Sequence, residues 1–121
     1  MKLRQKNKIN TLHFDSIDST STYIKKNIDK LSNLTFVDSL YQTNGHGRMQ
    51  RNWESEKGKN LMFSFLIKDQ SLIDSFSSLS IGCSVAILKA LKKFHLNDLS
   101  IKWPNDVYAH GKKICGILLE S

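Results

Sequence analysis

The chain has 121 residues, of which 40% are hydrophobic and 24% charged, with a formal net charge of +7 at pH 7. That length fits one globular domain burying about two-thirds of the surface its unfolded form exposes, with no second independent domain expected. One Pro and six Gly are too few for a disordered or low-complexity chain. No stretch reaches the roughly 18 apolar residues of a membrane span, so a cytoplasmic protein without membrane association is expected, whose basic surface attracts phosphates, carboxylates or acidic proteins less as salt rises.

Residues 1–10, MKLRQKNKIN, are polar and basic with no apolar run after them, unlike a secretory leader. Leu12, Phe14 and Ile17 suggest a modest first strand. Ser19 and Thr20 are good N-caps, and Ile24, Ile28 and Leu31 recur at helical spacing through TYIKKNIDKLSN, predicting a short amphipathic helix. Leu34 to Tyr41, with β-branched and aromatic residues, reads as a strand. Asn60 to Ile67 is nearly continuous in apolar residues, as expected of a strand covered on both faces. Asp74 or Ser75 then caps a long helix with Leu79, Cys83, Ala86, Ile87, Ala90 and Phe94 as its buried stripe. Leu99 to Trp103 is a strand stopped by Pro104. Val107 to Ala109, a turn at His110-Gly111 and Lys112 to Glu120 read as a β-hairpin. The apolar last strand, left at an open edge, invites a partner and suggests that the chain is part of a larger fold or self-associates as a homodimer.

Cys83 and Cys115 lie inside the apolar segments IGCSVAIL and KICGILL and read as buried thiols in a reducing compartment. His13, His46, His95 and His110 are scattered, with no metal-ligand spacing.

Two stretches carry chemistry. In TNGHGRMQRNW, Thr43 to Trp53, Gly45 and Gly47 let backbone N–H groups approach a ligand. Arg48 and Arg51 offer permanently charged planar donors for phosphate or carboxylate, and Trp53 offers a stacking surface. The competing reading is a surface loop with solvated arginines. The stretch is neither a Walker loop nor a GxGxxG turn. In KWPND, Lys102 to Asp106, Pro104 sets a turn that puts an amide, Asn105, and a carboxylate, Asp106, at a strand end. Asp106 suits Mg²⁺ where phosphates are present, and the hairpin returns Lys113 beside it. The competing reading is a polar turn with a Lys102–Asp106 surface ion pair of little energetic value.

GHGRMQRNW, KWPND and KKICGILLE, in that order, resemble the motifs GRGRxxRxW, KWPND and KxxGIL[VL]E of the biotin protein ligase (biotin–acetyl-CoA-carboxylase ligase) catalytic domain. Asp18-Ser19-Thr20 and GxNLxxS at Gly58 to Ser64 match as well, so the resemblance runs from about Phe14 to Glu120. It implies an α+β fold, a mixed and largely antiparallel sheet with helices packed on it, like class II aminoacyl-tRNA synthetases and biotin ligases. It implies that residues 1–121 are a partial catalytic domain without an N-terminal helix-turn-helix, the later strands with their GxGxN motif and the SH3-like C-terminal domain lying outside the chain.

The implied activity joins biotin to ATP as biotinyl-5′-AMP and passes biotin to a lysine of a biotin carboxyl carrier domain, with ATP, biotin and Mg²⁺ required and no DNA bound. By motif match, Ser19, Thr20, Gln42, Gly45, Arg48, Lys113 and Gly116 would bind biotin. Arg48, Arg51, Trp53, Asn105, Asp106 and Lys113 would bind ATP or the adenylate, with Arg48, Arg51 and Lys113 catalytic and Asp106 the metal ligand. Part of Thr43 to Lys57 would order on ligand binding. His46 stands where the family has its first arginine, and Met49-Gln50 replaces a basic-plus-glycine pair. Two other readings compete: a lipoate–protein ligase-like adenylating enzyme, against which the absence of an RRxSGGG-type loop counts, and a non-catalytic basic binding module.

Overall fold

The computed structural model describes residues Ile9 to Ser121. They gather into two compact units, one ending at Ile73 and the other running from Asp74 to Ser121.

The first unit is a β-α-β crossover with a third strand added. Strand β1 (Asn10–Phe14) pairs in parallel with β2 (Thr35–Ser39), and β2 pairs antiparallel with β3 (Met62–Leu66), giving the order β1-β2-β3. Parallel neighbours need a crossover, here supplied by helix α1 (Thr20–Lys26). Ser19 caps α1, its Oγ accepting from Thr22 N–H at 3.4 Å. Ile24 of α1 packs on Val37 and Leu66, with Leu12, Phe14, Tyr23 and Leu31 around them. The helix is shorter than its apolar spacing predicts. Asn27 ends it by turning its own amide onto Tyr23 C=O at 2.9 Å, which leaves Ile28 44% exposed.

Burial alternates along β2, with Thr35, Val37 and Ser39 facing the helix. The opposite face carries Phe36, whose ring stacks on Phe63 at 4.8 Å and tilts against Phe65 at 6.4 Å. The expectation that Asn60 to Ile67 is covered on both faces is therefore corrected. Met62 and Leu66 are buried, but Phe63 and Phe65 are 44% and 40% exposed, because α1 lies on one side of β3 only. Ile17 is likewise outside β1 and makes an isolated parallel bridge to Gln42.

A short helix α2 (Gln70–Asp74) precedes α3 (Phe76–Lys92). In the second unit α3 packs on a meander of β4 (Leu99–Lys102), β5 (Asp106–Ala109) and β6 (Lys112–Gly116), antiparallel throughout with β5 central. Val107 on β5 is fully buried. His110 and Gly111 both have positive φ, 50° and 72°, as a two-residue type I′ hairpin turn requires. The Trp103–Pro104 peptide bond is cis.

Two expectations change here. Ser75 is the N-cap of α3, as one of the two expected residues, though without a side-chain hydrogen bond; of the expected stripe Leu79, Cys83 and Ile87 are only partly buried, and the residue the helix buries is Ser84. Ala86 and Ala90 are exposed and Phe94, past the helix end, is 75% exposed. Ser84 is accommodated because its Oγ donates to Ser80 C=O at 3.0 Å, while Ser80 Oγ donates to Pro104 C=O at 2.9 Å. The last strand stops at Gly116 instead of running to Glu120, since Ile117 turns to Asn105. Among the described residues no helix is long and apolar enough to cross a membrane.

Candidate functional site

The first unit gathers four of the residues singled out by sequence. The Ile17–Gln42 bridge, with Thr43 N–H donating to Ile17 C=O and Asn44 N–H to Asp18 C=O, lays the segment after β2 alongside the start of α1. Gln42 Oε1 thereby accepts from Thr20 N–H at 2.8 Å and from Thr20 Oγ1 at 3.0 Å. Ser19 Oγ lies 3.0 Å from Ser21 Oγ, and Ser19 and Thr20 are each 3% exposed. Gly45 is buried beside them. A Cβ there would come within 2.8 Å of Gln42 Nε2, the movable end of that side chain, and make a tight 3.0 Å contact with the Trp53 carbonyl.

Beyond Gly45 the loop folds back on itself. Trp53 N–H donates to Gly45 C=O at 2.9 Å, His46 bridges Asn52, and Gly47 N–H donates to Arg51 C=O at 2.7 Å. One 3₁₀ turn, Arg48–Gln50, forms the tip. Met49 and Gln50 adopt φ of 57° and 58°, the left-handed region that favours glycine. Arg48 and Arg51 are exposed, and neither guanidinium pairs with a carboxylate among the described residues. Under the loop, Gln42, Gly45, Asn52, Trp53 and Asn60 line an open cleft of about 710 Å³. Arg48 and Arg51 do not line it, whereas Glu54 and Glu56, which the sequence reading passed over, do.

The second unit holds Asn105, Asp106, Lys113 and Gly116. Asn105 is held at both ends of its residue: its carbonyl accepts from Ile117 N–H and its Nδ2 donates to Ile117 C=O, each at 2.8 Å. Its buried Oδ1 has no hydrogen-bond partner among the described residues. Asp106 opens β5 opposite Gly116 of β6. Lys113 Nζ stands 3.0 Å from Asp106 Oδ1, an ion pair lying outside hydrogen-bond geometry, so that buried oxygen keeps an unused acceptor site. The alternative Lys102–Asp106 ion pair is not formed. Lys102 Nζ instead sits 5.5 Å from the centre of the Tyr108 ring. Cys115 follows, and its thiol is pushed up from its ordinary range by burial first and the Asp106 carboxylate second, against the lowering effect of Lys113. Burial also raises Cys83, and both cysteines are free thiols, only partly buried. Among the described residues no three His, Cys, Asp or Glu side chains form a metal cage.

Comparison with known proteins now bears on this arrangement. A family model described as the biotin/lipoate A/B protein ligase family matches residues 13–121. The chain belongs to this family. It is 33% identical to the bifunctional ligase/repressor BirA of Escherichia coli over 104 residues, 86% of this chain and 32% of that protein. It is 35% identical to the biotin–(acetyl-CoA-carboxylase) ligase of Paracoccus denitrificans over 106 residues, 86% of this chain and 44% of that protein. Among solved structures, the Aquifex aeolicus biotin protein ligase in complex with biotin and ATP matches with a TM-score of 0.83 at 33% identity, covering 93% of this chain and 47% of that one. This member of the biotin/lipoate ligase family thus spans a third to a half of the length of those relatives. Its α+β fold is that of the biotin protein ligases.

One polar residue in the first unit has no role in the sequence reading. Ser64 of β3 puts its Oγ 2.7 Å from Thr20 Oγ1. The signal was present, since Ser64 closes the GxNLxxS match, but only the pairing of β3 with β2 turns that serine toward the start of α1.

Proposed function

We propose that this chain carries the biotin- and ATP-binding part of a biotin–protein ligase. The observation that carries this reading is the match, over 93% of the chain, to a ligase solved with biotin and ATP. In the first step a biotin carboxylate oxygen attacks the α-phosphorus of ATP and pyrophosphate leaves. In the second, the amine of a carrier-domain lysine attacks the biotinyl carbonyl and AMP leaves.

Each residue then has a task suited to its position. Ser19, Thr20, Gln42 and Gly45 would frame the biotin head ring. Arg48, Arg51 and Trp53 would close over the adenylate from the loop, shielding a reactive mixed anhydride from water. Lys113 would neutralise charge growing on the biotin carboxylate and α-phosphate, with Gly116 along the biotin chain and Asn105 toward the phosphates. The single carboxylate of Asp106, with an acceptor site to spare, suits Mg²⁺, which takes few protein ligands beside water and phosphate oxygens. The ion would supply neutralisation of the triphosphate charge. The acceptor is a biotin carboxyl carrier domain. Pairing of β6, an edge strand of its sheet among the described residues, with a second copy belongs to the same reading, and two free thiols fit a reducing cytoplasm.

The reading is tested by incubating the chain with biotin and α-labelled ATP and following biotinyl-AMP and pyrophosphate, with lipoate and duplex DNA as competitors. It expects biotin-dependent adenylate that neither competitor suppresses. Suppression by lipoate would instead favour a lipoate-activating enzyme, and salt-sensitive DNA binding without adenylate would favour a basic binding module.

A further inference from the structure

The hydrogen bonds around Thr20 admit one order of protons. Gln42 Oε1 faces Thr20 N–H at 2.8 Å, so the atom there is the amide oxygen, which only accepts. Thr20 Oγ1 is 3.0 Å from that oxygen, and two acceptors would repel at such a distance, so the one proton of the Thr20 hydroxyl goes to Gln42. Thr20 Oγ1 is also 2.7 Å from Ser64 Oγ. With its own proton already committed, Thr20 can only accept there, and Ser64 must donate. The relay therefore runs from Ser64 through Thr20 to Gln42.

Two bonds fix the direction of the third site on Thr20 Oγ1, a lone pair. Gln42 Nε2, with no hydrogen-bond partner among the described residues, presents donors on the side of Gly45. A biotin ring seated against Thr20 and Gln42 would meet an acceptor at Thr20 and a donor at Gln42. A cyclic urea, with N–H groups flanking a C=O, matches that pair, whereas a ring without N–H leaves the Thr20 lone pair unanswered.

The geometry points to Ser64 as a positioning residue for biotin: its donation takes one lone pair of a Thr20 hydroxyl whose proton is held by Gln42, which leaves one directed lone pair for a ring N–H and so helps select a ureido ring over a ring that lacks N–H. This rests on the proposed biotin-binding function. Ser64 touches Thr20 and acts through it.

The test is calorimetric titration of biotin into the wild-type chain and into Ser64→Ala, Ser64→Cys and Ser64→Thr, each first checked for an intact melting transition. Should the alanine variant fold poorly, cysteine keeps the volume and donates only weakly. Alanine and cysteine are expected to weaken biotin about tenfold, the order of one hydrogen bond, with threonine restoring it and ATP binding unchanged in all. An analogue methylated at both ring nitrogens is expected to bind wild type and Ser64→Ala equally. Unchanged biotin affinity in both the alanine and cysteine variants, or failure of threonine to restore it, would overturn the role of Ser64 and leave the functional reading intact. A wild-type chain that does not bind biotin would overturn that reading and this inference together.

Discussion

At the scale of single residues, Lys113 and Gly45 are the positions where a small change has the sharpest expected effect. Lys113→Ala removes the cation beside Asp106 and should lower biotinyl-AMP formation about a hundredfold, the cost typical of one lost charge-stabilising donor. Lys92→Ala, on the exposed face of α3, should stay within about twofold of wild type, as surface changes do; equal losses would remove Lys113 from its assigned place. Gly45→Ala should displace the Gln42 amide, since the new Cβ would fall 2.8 Å from it, and biotin affinity read by calorimetry should drop without loss of fold. His13 offers a pH-dependent check. Its Nδ1 lies 2.9 Å from Asp38 and its Nε2 3.7 Å from Asp15, and the Asp38 hydrogen bond holds its pKa above the usual histidine value of 6.5. A raised folded-state pKa means that the pair's contribution to stability is fully present below about pH 6.5 and is lost as pH rises through the raised value. Asp38→Asn should return the His13 titration, followed by NMR, to the ordinary range. The paired site groups Asp106 and Lys113 were legible in the sequence because hairpin register returns Lys113 to the KWPND turn. Ser64 was not, because its partner Thr20 is distant in sequence and only the register of β2 with β3 aligns them.

At the scale of elements, local signals worked where a single residue type dictates geometry and failed where neighbours decide. The Ser19 cap, the Pro104 stop and the His110-Gly111 turn were readable for that reason. The end of α1 was not, because apolar spacing continued past Asn27 while its side chain closed the last turn. Burial on β3 was not, because a continuous apolar run does not say which face the structure leaves open. The tip of the Gly45–Trp53 loop holds Met49 and Gln50 at positive φ, a conformation costing about 1 kcal/mol per non-glycine residue. Gln50→Gly should therefore stabilise the closed loop by about that amount, measured as a raised melting temperature with the loop's chemistry kept. Val107, fully buried on the central strand β5, should cost about 2 kcal/mol as alanine, seen as a lower urea midpoint at unchanged slope.

For the molecule as a whole, composition and the +7 charge limited the class without naming the chemistry. Order among three motifs carried the family reading, and the match over residues 13–121 supports it. What neither composition nor motif order contained was the division of the described residues into two units, each with its own three-stranded sheet and its own set of candidate site groups. The central claim is the proposed one, that this chain binds the adenylate of biotin. Its most direct measurement is calorimetric titration of the chain with a hydrolysis-resistant biotinyl-5′-AMP analogue, alongside Thr20→Val in the first unit and Lys113→Ala in the second. Saturable binding of one analogue per chain, weakened about tenfold or more by either substitution, is the predicted result; absence of binding, or binding that neither substitution weakens, would contradict it.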